Sequence, residues 1–339
     1  MAWARHHWVG RENIHTYWSN ELPPQLWVDP GDTVTFETLD SSYGRVAREI
    51  KQLAQDGIDP ALVALVSGCA YPEQPTEDRD PVIARGHPLT GPVGVRGAEP
   101  GDTLVIEIVR IEPGKWGHTS CSSDPDRFGL LNDALGGEPR SHCFVWDLRT
   151  GKRAELRRGV RVPLAPFCGV MGVAPAEPGQ HSTVPPRRSG GNMDLRHLTA
   201  GATLMLPVLA PGALLSIGDA HGAQGDGEVS GTGIEMEATV TLRLSLRKGA
   251  PLEQPRAITS GRPLSLPGPS YVSIGNEPDL REAARTALRG IIDHLTTDRD
   301  LTPVEAYVLA SVCVDLKISQ IVDMPNYTVS AYLPLSVFS

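Results

Sequence analysis

The triplet Pro-Gly-Asp occurs at 30–32 and again at 100–102, and each time it opens a run of alternating apolar and polar residues. In "TVTFETLD" Val34 and Phe36 alternate with Thr33, Thr35 and Glu37, and "TLVIEIVRIEPG" repeats the arrangement. Proline fixes φ, glycine admits the left-handed region, and aspartate closes a turn with its own carboxylate. The triplet therefore ends one element and launches a strand. A third Pro-Gly at 211–212 precedes "ALLSIGDAH". These matches reflect either shared turn chemistry or a duplicated β unit. The 35 glycines and 30 prolines among 339 residues follow no collagen-like period, so they punctuate many strands and turns.

"GPVGVRGAEPGD", "GVRVPLAPFCGVMGVAP" and "GATLMLPVLAPGALLSIGDAH" read as strands joined by tight turns. Residues 43–57 are compatible with a short helix. "VAPAEPGQHSTVPPRRSGGNMD" is a long Pro/Gly/Ser-rich connection of the kind that covers a site or joins two sheets. "VSGTGIEMEATVTLRLSLRKG" sets Glu235, Glu237, Thr239, Thr241 and Arg243 on one face, with Ile234, Met236, Ala238, Val240 and Leu242 on the other. Glu235 and Glu237 are read here as the wet side of that strand. The period then changes. In "PDLREAARTALRGIIDHL", Leu280, Ala284, Ala287, Leu288, Ile291, Ile292 and Leu295 fall at helical spacing. "LTPVEAYVLASVCVDLK" opens with Thr302 as cap, Pro303 at N1 and Glu305 at N3. The expectation is a mainly β chain: a large sandwich- or barrel-like body with an α+β C-terminal part. A boundary near residue 185 divides it into an N-terminal β-rich domain (1–185) and a C-terminal β-rich and α+β domain (186–339).

The net charge of -9 argues against nonspecific nucleic-acid binding, and the basic "KRAELRRGVR" and "PPRRSG" are short, solvated stretches. Five cysteines, with no CxxC pair, fit reduced thiols in a cytoplasmic protein. No signal-like apolar core opens the chain, and no run is long enough to cross a membrane.

"SIGDAHGAQGDGEVSGTGIEME" concentrates the chemistry. On a strand Asp219 and His221 point to one face. The glycines of "GAQGDG" permit a fold-back that carries Glu228 toward His221. Carboxylate oxygen and imidazole nitrogen suit zinc or a similar divalent ion. Asp194, after "GGN", is the distant partner, and Asn192 orients a carboxylate or binds the substrate carbonyl. His118 and His142 are further polar candidates. The bland alternatives are that His221 satisfies turn backbone groups and that Asp226 closes an Asx-turn. The stretch is neither a dinucleotide fingerprint nor an EF-hand, since no helix follows and the acids have the wrong spacing. No GxSxG elbow occurs. A thiol nucleophile stays open, with Cys121 near His118 and Cys168 as candidates. Trp116, Phe128 and Trp146 either narrow a pocket or pack in the core.

Together with "SGGNMDLRHL", "ELPPQLWVDPGDTVTFETLD", "GPVGVRGAEPGDTL", "CGVMGVAPA" and "AYVLASVCVDLKISQIVD", that stretch resembles the acetamidase/formamidase family over residues 12 to 335. "GGNMD" followed by "GDAHGAQGDGE" is the specific pairing. The sequence departs from the family pattern at Tyr43-Gly44-Arg45, which bears on substrate range if that loop lines the pocket. The resemblance implies hydrolysis of a short aliphatic amide to carboxylate and ammonia, a metal-associated β fold and a cytoplasmic homo-oligomer. Some members act on lactams. The expected site is a divalent metal, zinc, on His221, Asp219 and Asp194. Glu228 transfers protons and Asn192 supports the oxyanion, with a small amide as partner and no nucleic acid or membrane. The rivals are a cyclic-amide hydrolase and a non-enzymatic β-rich sugar- or metal-binding module.

Overall fold

The computed structural model describes residues 4–53, 58–72, 86–157, 159–260, 268–322 and 325–338. Strand accounts for 40% and helix for 17%, so the chain is mainly β as expected. Its centre is a fifteen-stranded sheet. The main path runs through Val160–Pro163, Arg153–Arg157, Ser141–Asp147, Thr103–Ser122, Glu235–Arg247, Leu215–His221, Phe167–Gly172 and Gly190–Asn192. Strands from both sides of residue 185 therefore share one sheet.

Glu235–Arg247 is the axis. One edge pairs along its length with Thr103–Ser122. The other pairs first with Leu215–His221 through Met236 and Glu235, and then with Thr33–Thr38 from Ala238 to Arg243. The sheet forks there, and the fork brings the ends of several strands together. The alternation holds: Met236, Ala238, Val240, Leu242 and Leu244 are buried while Arg243 is exposed. Burying each large aliphatic side chain contributes roughly 1.5–3 kcal/mol. The two Pro-Gly-Asp turns are built alike, because Asp32 accepts from Asp29 N–H at 3.1 Å and Asp102 from Glu99 N–H at 2.9 Å.

The expected helix at 43–57 is Arg45–Leu53, with residues 54–57 outside the described residues. A second helix, Pro60–Ser67, follows behind an Asp59 cap and was not read from the sequence. At the C-terminal end, Leu280–Asp298 packs on a three-stranded sheet of Ser270–Glu277, Tyr327–Pro334 and Asp315–Gln320. Close approach is possible because a Cβ on Gly275 would stand 2.1 Å from Ala283 O. Pro303–Cys313 has the expected capping box: Glu305 N–H donates to Thr302 Oγ1 at 3.2 Å, and Thr302 N–H donates to Glu305 at 2.8 Å. Every residue of this helix from Ala306 to Cys313 is buried, as suits a helix inside the core. No helix among the described residues is long and apolar enough to cross a membrane.

Candidate active site

Three antiparallel strands gather the acids. Phe167–Gly172 lies between Leu215–His221 and Gly190–Asn192. Asp219 and His221, two apart on one strand, share a face. Beyond Asn192 the chain turns so that Met193 and Asp194 N–H both donate to Gly169 O, at 3.1 and 3.2 Å. Asp194 thereby reaches the same place. Gly169 leaves the room: a Cβ there would stand 2.5 Å from Asp194 Oδ1 and 2.7 Å from Asp219 Oδ2.

The glycine-rich segment after His221 is clamped by the C-terminal helix. Gly225 N–H donates to Ser311 O at 2.8 Å, and a Cβ on Gly225 would lie 2.1 Å from Val314 O. Ser311 Oγ accepts from Ser230 N–H at 3.1 Å and donates to Thr232 O at 2.8 Å. Tyr307 O–H donates to Val229 O at 2.5 Å. Within this clamp, Glu228 N–H donates to Gly225 O at 3.1 Å and the Glu228 side chain turns toward His221.

The result is four carboxylates around one buried imidazole. The ligand atoms of Asp194, Asp219 and His221 lie within 4.8 Å of one another, and so do those of His221, Glu228 and Glu235. His221 Nε2 stands 3.0 Å from Glu235 Oε1 and 3.5 Å from Asp219 Oδ2, yet neither contact has hydrogen-bond geometry. Nδ1 is 2.7 Å from Gln224 Oε1, and Gln224 Nε2 donates to Asp194 O at 3.0 Å. Asp194 Oδ1 is also buried without a partner. Asp194, Asp219 and Glu228 all adopt left-handed backbone, with φ of 46°, 53° and 43°. L-residues avoid this region, and strain of this kind collects at functional sites.

The acids differ in character. Burial and the neighbouring Asp219 push Asp194 up to about 6. Burial and Asp194 push Glu228 well above the usual carboxylate range. Burial acts the same way on Asp219, but His87 and His221 overcome it and hold that carboxyl below its ordinary value. His221 is disfavoured as a cation by burial, yet Glu235 and Asp219 lift it well above its ordinary value. Concentrated buried negative charge of this kind needs shared protons or a cation. Unpartnered Nε2 and Oδ1 atoms aimed among carboxylates fit a divalent metal with mixed nitrogen and oxygen donors.

The structure thus brings His221, Asp219, Asp194 and Glu228 together. Asn192 sits on the adjoining strand, where its Nδ2 donates to Val184 O at 2.9 Å and its Oδ1 is buried and unpartnered. Its free atom is thus an acceptor, not the donor that an oxyanion needs. Glu235 corrects the wet-face reading: it is 2% exposed, because it lies in the middle of the cross-strand row His118–Glu235–His221. Sequence reasoning also missed Gln224, three residues after His221, and His87, whose Nε2 is 3.9 Å from Asp219 Oδ2. Asp226 stays outside the cluster and binds Asp315 Oδ1 through its own N–H at 3.2 Å.

Neither thiol candidate carries a nucleophile's environment. Burial pushes Cys121 and Cys168 each up to about 12. His118, across the strand from Glu235, turns its Nε2 to Asp40, 3.4 Å away; burial opposes its charge, while Asp40 and Cys143 raise it to about 10. His142 lines a separate cavity together with Phe128 and Arg45 of the Tyr43-Gly44-Arg45 loop. Trp116 and Trp146 are core residues, and Trp146 Nε1 donates to Thr119 Oγ1 at 2.9 Å.

The chain as a whole is similar to several known proteins. A formamidase of Methylophilus methylotrophus is 26% identical over 98% of this chain and 91% of its own length. An acetamidase of Mycolicibacterium smegmatis is 26% identical over 69% of the chain and 66% of its own. Among solved structures, a gamma lactamase from Delftia acidovorans matches with a TM-score of 0.79 at 26% identity, covering 96% of this chain and 90% of that one. An acetamidase from Bacillus halodurans matches with a TM-score of 0.60 at 30% identity, covering 96% of each chain. The sequence profile of the acetamidase/formamidase family matches residues 70–182 and 178–339, taking in both the Gly169–Asp194 turn and the clamped loop, and the chain belongs to that family of amide hydrolases.

Proposed function

We propose that the protein hydrolyses small linear amides such as formamide and acetamide to the carboxylate and ammonia. In this reading His221, Asp219 and Asp194 hold a divalent ion, zinc, with Glu228 and Glu235 beside them. The observation that carries it is the pair of buried unpartnered atoms, His221 Nε2 and Asp194 Oδ1, on residues gathered in one cluster of carboxylates. When bound, such an ion polarises the carbonyl and lowers the pKa of water by several units.

The chain's own groups do the rest. Gln224 fixes His221 with Nδ1 protonated and Nε2 free. Glu228, whose proton affinity is raised by burial, takes a proton from the attacking water and delivers it to the departing nitrogen. That delivery is essential, because an amide anion is a very poor leaving group, and positioned proton transfer contributes about 10²–10⁴-fold. Asn192 Oδ1 suits an N–H of the substrate amide.

A second reading is a cyclic amide, supported by the TM-score of 0.79 to the gamma lactamase. Elemental analysis of purified protein, paired with product formation from formamide, acetamide and γ-butyrolactam, tests both. Ammonia from formamide supports the first reading, and ring opening of the lactam alone supports the second. Bound metal without hydrolysis of any amide returns the protein to a β-rich binding module. Full hydrolysis by metal-free protein overturns the role given to the ion. The same family reading carries a cytoplasmic homo-oligomer, and sedimentation of the purified protein tests its assembly.

A further inference from the structure

Starting on the strand that flanks Glu235, a thiol, an imidazole and a carboxylate line up. Thr103–Ser122 pairs with Ser141–Asp147 so that His118 lies opposite Val145 and Ser120 opposite Cys143. Residues two apart on a strand share a face, and diagonal neighbours across a pair are within side-chain reach. His118 and Cys143 are such neighbours. Behind His118 stands Asp40, fully buried, with His118 Nε2 3.4 Å from its Oδ1. Asp40 is itself oriented by Ser42 N–H at 2.9 Å and Gly44 N–H at 3.2 Å. With Nε2 turned to Asp40, the other nitrogen is left for the thiol. That atom, Nδ1, is buried and makes no hydrogen bond, in a residue only 3% exposed.

Cys143 also has somewhere to receive a reactant. It lines a cavity of about 420 Å³ whose wall includes Arg45, Arg127, Ser120, His142 and Thr232. None of the described residues lining it is acidic. Arg45 and Arg127 pair with Glu49 and Asp124 at 3.0 and 3.9 Å on the surface. Exposed pairs of this kind are weak, so both guanidiniums remain available to an anion. We propose that Cys143, His118 and Asp40 form a nucleophilic thiol site that bonds covalently to small molecules carrying an electrophilic carbon beside a carboxylate.

The arrangement is a buried carboxylate orienting an imidazole that accepts a nucleophile's proton. With the thiol proton held by His118, the thiolate electron pair forms an S–C bond, and the bond from that carbon to its leaving group breaks with its electrons. The surroundings favour this thiol alone. His118 and Arg45 overcome burial and draw Cys143 below its ordinary value, whereas burial pushes Cys69, Cys121, Cys168 and Cys313 the other way.

Alkylation of the folded protein at pH 7 with iodoacetate and with iodoacetamide, followed by peptide mass mapping, tests this. Iodide leaves in both reactions, and only iodoacetate carries the carboxylate. Cys143 should be carboxymethylated about tenfold faster than any other cysteine. Relative to glutathione, it should favour iodoacetate over iodoacetamide. Arg45→Ala, on an exposed helix position, should remove that preference and slow iodoacetamide far less than iodoacetate. His118→Asn should slow both reagents about tenfold. If His118→Asn fails to fold by circular dichroism, the reagent preference and the Arg45 variant decide. Labelling of Cys143 no faster than Cys69, or no preference for iodoacetate over the glutathione reference, overturns the proposal.

Discussion

Gln224 Oε1 accepts from His221 Nδ1 at 2.7 Å, and the amide cannot turn over because its nitrogen already donates to Asp194 O at 3.0 Å. One side chain thus couples the ring orientation of His221 to the turn that carries Asp194. Gln224→Leu should lower zinc affinity about 10–100-fold, the usual cost of losing a group that orients a metal-binding histidine. Competition against a chelator measures it, and unchanged affinity would remove the role given to Gln224. His221→Ala should lose bound metal and amide hydrolysis together.

Gly169→Ala isolates the space between two carboxylates. The added methyl would fall 2.5 Å from Asp194 Oδ1 and 2.7 Å from Asp219 Oδ2, so both must move. A displacement near 1 Å at reacting groups costs roughly 100-fold in rate. Ammonia release should drop by about that factor while the circular dichroism spectrum is retained. Wild-type turnover in this variant would mean that the reaction does not need those two carboxylates in place.

Protonation gives a test free of turnover. Asp194 rises from an ordinary 3.8 to about 6. Its folded form holds a proton more tightly than its unfolded form, so its contribution to stability is greatest below the lower value. It is lost as the pH climbs toward the higher one, and stays lost above it. Chelator-treated protein should therefore become less stable between about pH 4 and pH 6. Asp194→Asn should flatten that decline. Zinc added at neutral pH should restore stability by about 2.7 kcal/mol at a hundredfold excess over its Kd. A thermal shift series without any zinc effect would be falsifying for the metal site.

Ser311 is the clamp between the C-terminal helix and the loop that carries Glu228. Ser311→Ala leaves the buried Ser230 N–H and the half-buried Thr232 O without this partner. Each unmet buried group costs about 1–3 kcal/mol. Thermal unfolding should show the loss, and hydrolysis should fall with it. A variant as stable and as active as the parent would show that the helix is not what holds the loop.

What the sequence revealed and what it hid follow the range of the interactions. The Thr302–Glu305 capping box and the Asp219–His221 shared face depend on neighbours within a few residues, so spacing exposes them. Glu235 was assigned to the right face of its strand, but alternation says nothing of what covers that face, and here two flanking strands and the clamped loop bury it. His87 reaches Asp219 from a segment with no pattern of its own. Asp194 arrives through a turn whose anchor, Gly169 O, lies 25 positions earlier in the numbering. Closeness in sequence to His118 points to Cys121, whereas strand pairing sets Cys143 diagonally across the ladder from it.

Left-handed backbone at Asp194, Asp219 and Glu228 sets function against durability within single residues. Glycine would occupy each of those conformations without the penalty of roughly 1 kcal/mol that a side chain incurs there. Random substitution screened only for heat resistance should therefore drift toward glycine at these three positions and toward an inactive protein. A family of sequences descending under such a screen would lose its chemistry first at the residues whose replacement most relaxes the chain.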